Sequence, residues 1–199
     1  MRTLLATLII FASTYLGHAA EPPTAAEMTK RLGRGINLGN ALDAPTEGEW
    51  GVKLQREHFR AIKDAGFSSV RFPIRWSAHA DKTAPFKIDA KFLSRVDEIL
   101  GWCREEKLLI VLNMHHYDEI HKEPDAHEER CLALWSQLAE HFASADESLL
   151  LEPLNEPAFK LDADKWNALL AKLLPVIRAK HPTRCLVVGP AQWNNFRAL

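Results

Sequence analysis

The chain has 199 residues, 47% of them hydrophobic and 26% charged, with a formal net charge of −1. That length supports one domain with a sizeable core, and the balance excludes an intrinsically disordered chain. Without a basic cluster or net positive charge, no nucleic-acid or anionic-membrane partner is expected.

The first 20 residues stand apart. Arg2 opens the chain, an apolar run extends from Leu4 to Leu16, and small residues follow at Gly17, Ala19 and Ala20. This is the order of a secretory signal peptide cleaved near Ala19 or Ala20. The run is short of the ~20 residues a membrane span needs, so no stable membrane anchor is expected and localisation is secreted or periplasmic. Residues 21–31, which include Pro22 and Pro23, read as an N-terminal linker.

From there, short apolar runs alternate with longer amphipathic ones. The predicted strands are Gly35–Leu38, Ser69–Ile74, Leu108–Met114, Leu149–Leu154 and Leu186–Val188. They are rich in Val, Ile and Leu, as in strands buried on both faces. A first helix is expected over Lys53–Ala65, stopping at Gly66. Phe92, Val96, Ile99, Leu100 and Cys103 recur at steps of three and four and predict a second. Cys131, Trp135, Leu138 and Phe142 predict a third; Trp166, Leu169, Leu170, Leu173 and Ile177 predict a fourth, with Pro175 as a kink position. Three cysteines cannot close a disulfide framework, and Cys103, Cys131 and Cys185 are expected as buried free thiols.

Strict alternation of strand and helix implies parallel strands with right-handed crossovers, either in an open doubly wound sheet or in a closed barrel. The first strand lacks a dinucleotide-binding glycine pattern, since Gly35-Ile36-Asn37-Leu38-Gly39-Asn40 has the wrong spacing. Polar residues gather where strands end: Asn37, Asn40, Arg71, His115, His116, Asn155 and Glu156. In a (β/α)8 TIM barrel those ends form one rim, where active sites are built, and this favours the barrel. Five strand–helix units fall short of eight, so residues 32–199 are read as an incomplete barrel.

The sharpest motif is Leu154-Asn155-Glu156-Pro157. A half-buried carboxyl at a strand end suits proton donation to a leaving oxygen, although Asn and Pro are also common in ordinary turns. The remaining motifs are Gly35-Ile36-Asn37-Leu38-Gly39-Asn40, Val70-Arg71-Phe72-Pro73-Ile74-Arg75-Trp76 and Asn113-Met114-His115-His116-Tyr117. With these four motifs in order on successive strands, the chain resembles glycoside hydrolase family 5, the retaining endoglucanases and their relatives, from about Leu32 to Leu199.

The resemblance implies a secreted hydrolase acting on β-linked polysaccharide or oligosaccharide, with no cofactor. It makes Glu156 the acid/base and sets Asn155 on the sugar 2-hydroxyl. It pairs Arg71 with the nucleophilic carboxylate and makes His115 a support for that network, with His116 a weaker candidate. Neighbouring residues on a regular strand face opposite ways, so His115 and His116 are not both expected to point into the barrel. The family's nucleophile follows a later strand, which places it beyond Leu199 and leaves the 199-residue chain inactive by itself. Asn37 and Asn194 are candidate sugar contacts. So are Trp50, Trp76 and Trp193, which follow strands near the rim and offer aromatic faces for pyranose stacking or for plain loop packing.

Other readings stay open. Arg71 suits a structural ion pair as well. A metal site on His115, His116, Asp118 and His121 lacks zinc-motif spacing, and none is expected. A non-catalytic carbohydrate-binding remnant, or a related β-mannanase or other β-glucanase, would use the same rim.

Overall fold

A computed structural model describes residues 21–198. The expected signal peptide, residues 1–20, lies outside the described residues. No helix among them is long and apolar enough to cross a membrane.

Where a linker was expected there is a helix, α1 (Ala25–Leu32). Thr24 and Glu27 form a reciprocal capping box at its start, which supplies partners for two backbone N–H groups that would otherwise have none. Next come β1 (Gly35–Asn37), α2 (Arg56–Asp64), β2 (Ser69–Ile74) and a 3-10 turn over Trp76–His79. α3 (Ala90–Glu105), β3 (Leu109–Met114), α4 (Asp118–Lys122) and α5 (Pro124–His141) follow, then β4 (Leu149–Glu152) and α6 (Ala163–Arg178). Helix α2 begins later than the pattern suggests because the chain before it is held extended, with the Leu54 N–H donating to Glu47 Oε1. Asp89 and Asp162 cap α3 and α6 by accepting backbone N–H bonds, and α6 runs through Pro175 to Arg178.

The four strands form one parallel sheet in the order β1-β2-β3-β4. The predicted fifth strand is reduced to a single bridge between Leu151 and Leu186, with Val187 N–H donating to Leu151 O at 2.9 Å.

Register explains both the core and the site. Ile110 pairs with Val70 and Leu149, and Leu112 with Phe72 and Leu151. That face packs on the helices through Val96, Ile99, Leu100, Cys103, Leu134, Trp135, Leu138, Leu169 and Leu173. The opposite face carries Leu109, Val111 and Leu150, which pack with Met28 of α1. Both faces are therefore covered, as a parallel sheet requires. On this second face the sheet turns polar: Asn37, Asn113 and Glu152 sit at or near the last positions of β1, β3 and β4, while Arg71, expected at a strand end, sits mid-strand in β2 beside Asn37.

Cys103 and Cys131 are buried free thiols, and Cys185 is free and half-buried. Burial pushes the Cys131 thiol up to about 12 and raises that of Cys103 as well, so neither ionises readily at neutral pH.

Candidate active site

Arg71 organises the rim. Its Nε donates to Glu152 Oε2 at 2.6 Å and its Nη2 to Glu152 Oε1 at 2.7 Å. Nη2 also donates to Asn155 Oδ1 at 2.8 Å, and Nη1 to Asn37 Oδ1 at 2.8 Å. Four of the guanidinium's five N–H groups are thus committed to three side chains at the ends of β1 and β4, leaving one on Nη1. The planar fork fixes these partners in direction as well as distance.

Among the described residues Arg71 already has an ion-pair partner, distinct from the nucleophile expected beyond Leu199. Its carboxylate partner is Glu152, which is buried as the last inward residue of β4 and lies 81 positions away. A buried carboxylate has to find a cation, and Arg71 reaches it across β3. Sequence reasoning placed Glu152 within the fourth strand but gave it no part in the site. Its signal was a lone charge among Leu149, Leu150 and Leu151.

His115 follows Asn113 on the same face, and its Nδ1 lies 2.7 Å from Asn113 Oδ1. The oxygen can only accept, so Nδ1 carries the hydrogen and the free lone pair is on Nε2. Burial, reinforced by the nearby His116, Arg71 and His121, pushes His115 down to about 3, and it is neutral at working pH. His116 takes a left-handed conformation, φ 47°. Strand alternation has ended by that point, so both histidines line one cleft, which the pleat rule did not allow for. Glu156, φ 46°, makes the same kind of turn after β4.

That cleft has a volume of about 390 Å3. It is lined by Asn37, Arg71, His115, His116, Asn155, Glu156 and Trp193, together with Asp118, His121, Lys122 and Phe159. The Asn155 N–H donates to Met114 O at 2.9 Å, which docks the Asn-Glu pair onto the end of β3. Glu156 is exposed at the cleft, not half-buried as its proposed acid role suggested.

The tryptophans divide differently from their chain positions. Trp76 is 0% exposed and its Nε1–H donates to Asn113 O at 3.2 Å. It cannot stack on a sugar: the 3-10 turn after β2 folds it back into the core. Trp50 is exposed, with its ring edge-on to His116 at 5.7 Å between centroids. Trp193 is 55% exposed and edge-on to Phe159 at 5.3 Å. It lies in a turn, Ala191–Asn194, where Gln192, Trp193 and Asn194 have φ of 58°, 57° and 59°. Asn194 is exposed in that turn and is not among the cleft-lining residues.

Asp43, which sequence reasoning missed, stands close to the two histidines. It is 5% exposed; Oδ1 accepts the Ala41 N–H at 2.9 Å, and Oδ2 lies 4.0 Å from His116 Nε2. One potential ligand atom from each of Asp43, His115 and His116 lies within 4.8 Å of the others.

A rim of this composition, on the ends of parallel strands, is matched by known proteins. A family model described as cellulase (glycosyl hydrolase family 5) matches residues 33–198. The chain belongs to that family. It is 36% identical over 173 residues to Endoglucanase H of Acetivibrio thermocellus, covering 87% of this chain and 19% of that protein. To Endoglucanase A of Ruminococcus albus it is 32% identical, covering 72% of this chain and 43% of that one. Among solved structures, Thermotoga maritima Cel5A in complex with mannotriose superposes with a TM-score of 0.84 at 48% identity. That match covers 85% of this chain and 55% of the other. The chain thus spans a fifth to about half the length of these relatives. The solved relatives are (β/α)8 barrels, and the four-stranded sheet is part of such a barrel.

Proposed function

We propose that the full-length protein is a retaining endo-β-1,4-glucanase in which Glu156 is the acid/base. The observation that carries this reading is the joint placement of Asn155 and Glu156 at the end of β4, with Asn155 Oδ1 accepting from Arg71. That bond fixes the amide so that its NH2 group is available to a sugar hydroxyl beside the scissile bond. Glu156, exposed to the cleft, protonates the departing glycosidic oxygen and later takes a proton from the incoming water. The attacking carboxylate must lie about 5 to 5.5 Å from Glu156. We assign it to the part of the barrel outside the region matched here, where the remaining Arg71 Nη1–H is available to it. Neutral His115 accepts from a sugar hydroxyl at Nε2, and Trp50 and Trp193 offer faces to pyranose rings.

Proton-nuclear resonance of products from a cello-oligosaccharide tests the reading. Retention of the β-anomer by the full-length protein is expected, and inversion overturns the two-step mechanism. Thermotoga maritima Cel5A is solved with both mannotriose and cellobiose. Hydrolysis of β-1,4-mannan is therefore a second reading, decided by comparing kcat/KM on the two polymers. A non-catalytic sugar-binding role stands if the full-length protein binds cello-oligosaccharides and cleaves none. Export is part of the proposal, resting on the order of charged, apolar and small residues in 1–20. N-terminal sequencing of protein from the culture medium should begin near Glu21, and a start at Met1 overturns export by that segment.

A further inference from the structure

We propose that Asp43, His115 and His116 form a binding site for a single zinc ion at the rim. The chemistry begins with Asp43. A carboxylate this deeply buried is costly unless a cation or several donors meet it. One of its oxygens takes a single backbone N–H, and the other faces His116 Nε2 across 4.0 Å. That gap is too long for a hydrogen bond, and somewhat wider than the roughly 3.3 Å that two metal–ligand bonds of about 2.0 to 2.1 Å span at a tetrahedral angle. The three ligand atoms already lie within 4.8 Å of one another, and zinc binding requires the half-exposed His116 to turn towards Asp43 and close that gap.

The surroundings are those of a ligating imidazole. A metal-bound histidine characteristically donates its other ring N–H to an oxygen, which fixes the ring and the tautomer. His115 does this through Nδ1–H to the fully buried Asn113, and its Nε2 lone pair is free. The left-handed turn at His116 brings the second ring edge-on to the first, 4.5 Å between centroids. Two imidazoles and one carboxylate leave a fourth tetrahedral position open to water. This donor set is not the His115, His116, Asp118 and His121 group that the sequence suggested and then set aside. Asp43 lies 72 residues before His115 and has no motif relation to it. Nitrogen-rich sites of this kind favour Zn2+ and Cu2+ over Mg2+ and Ca2+.

Because both histidines line the saccharide cleft, occupancy by zinc excludes a sugar from the same place. That consequence rests on the glucanase reading, whereas metal binding itself does not.

The test is calorimetric titration of Zn2+ into the untagged full-length protein without saccharide. One equivalent bound is expected. H116A and D43N should each weaken it tenfold or more, while H121A, which alters a histidine of the same cleft outside the cluster, should change it less than twofold. Thermal melts confirm that each variant folds; H116A, at a half-exposed position, is the informative one if D43N does not. Cu2+ as a spectroscopic probe should show hyperfine coupling to two nitrogens, falling to one in H116A. No binding, several weak equivalents, or binding indifferent to H116A overturns the proposal. Loss of glucan hydrolysis in these variants bears only on the glucanase reading.

Discussion

Two arginines, at opposite ends of the same sheet, hold the structure in different ways. Arg184 lies where β4 begins and donates to the backbone carbonyls of Ala145, Asp146 and Leu149, and to His181 Nδ1. Arg71, midway along β2, reaches to where β1 and β4 end and donates to the side chains of Glu152, Asn155 and Asn37. An arginine spent on carbonyls pins loops whose sequence is of little consequence. An arginine spent on a carboxylate and two amides fixes the directions of groups that still have donors and acceptors left over. The first arrangement is architecture, and the second is the preorganised polar shell that catalysis requires.

The largest effect expected at the rim is on Glu156. E156Q in the full-length protein should lower kcat on cello-oligosaccharides by about 10^2 to 10^4, the usual contribution of a general acid. Stability should change little because Gln is nearly isosteric with Glu. A substrate with a good leaving group, such as a dinitrophenyl glycoside, needs less protonation. Its cleavage step should be far less impaired, and equal losses on both substrates would break the assignment.

R71A should damage both activity and stability. Breaking a buried ion pair costs about 3–5 kcal/mol, and the partial exposure of Arg71 puts the expected loss near or below the low end of that range. R184A should cost about 1–3 kcal/mol in denaturant unfolding, through carbonyls left unpaired, and leave kcat/KM within about twofold. If R184A lowered activity as much as R71A, the contrast between the two ends would fail.

Acid should expose a smaller difference. Burial lowers the pKa of His115, to about 3, and also lowers those of His121 and His79 on the rim side and His181 beside Arg184. A histidine held neutral in the folded state contributes stability that is fully present above its unfolded value near 6.5. That stability is lost as pH falls towards the folded value. The melting temperature should therefore decline from about pH 6.5 downward, and H115N should flatten the decline more than H181N does.

The smallest effect belongs to Trp50. W50A should weaken oligosaccharide binding with a stability change of about 0.5 kcal/mol or less, since it packs at the surface. W76A, by contrast, empties a fully buried site and should cost about 3–5 kcal/mol in an unfolding titration.

That last pair shows where sequence reading stops. The alternation of β2, α3, β3, α5, β4 and α6 was legible because hydrophobic periodicity is a local property, and each period reports which face is buried. The helix in residues 25–32 went unread behind two prolines, although Thr24 and Glu27 carry a capping-box spacing. The reduction of Leu186–Val188 to one bridge could not be seen either, since a strand exists only through its partner.

The family was also determined by the sequence alone, because four short motifs in fixed order name a rim without coordinates. The tertiary structure decided what those residues meet. It turned Trp76 inward, joined Arg71 to Glu152, set His115 and His116 on one cleft, and brought Asp43 beside them. These depend on strand register and on the turns that follow the strands, such as the 3-10 turn at Trp76 and the left-handed turn at His116. Neither leaves a periodic trace, since each is settled by contacts between segments tens of residues apart.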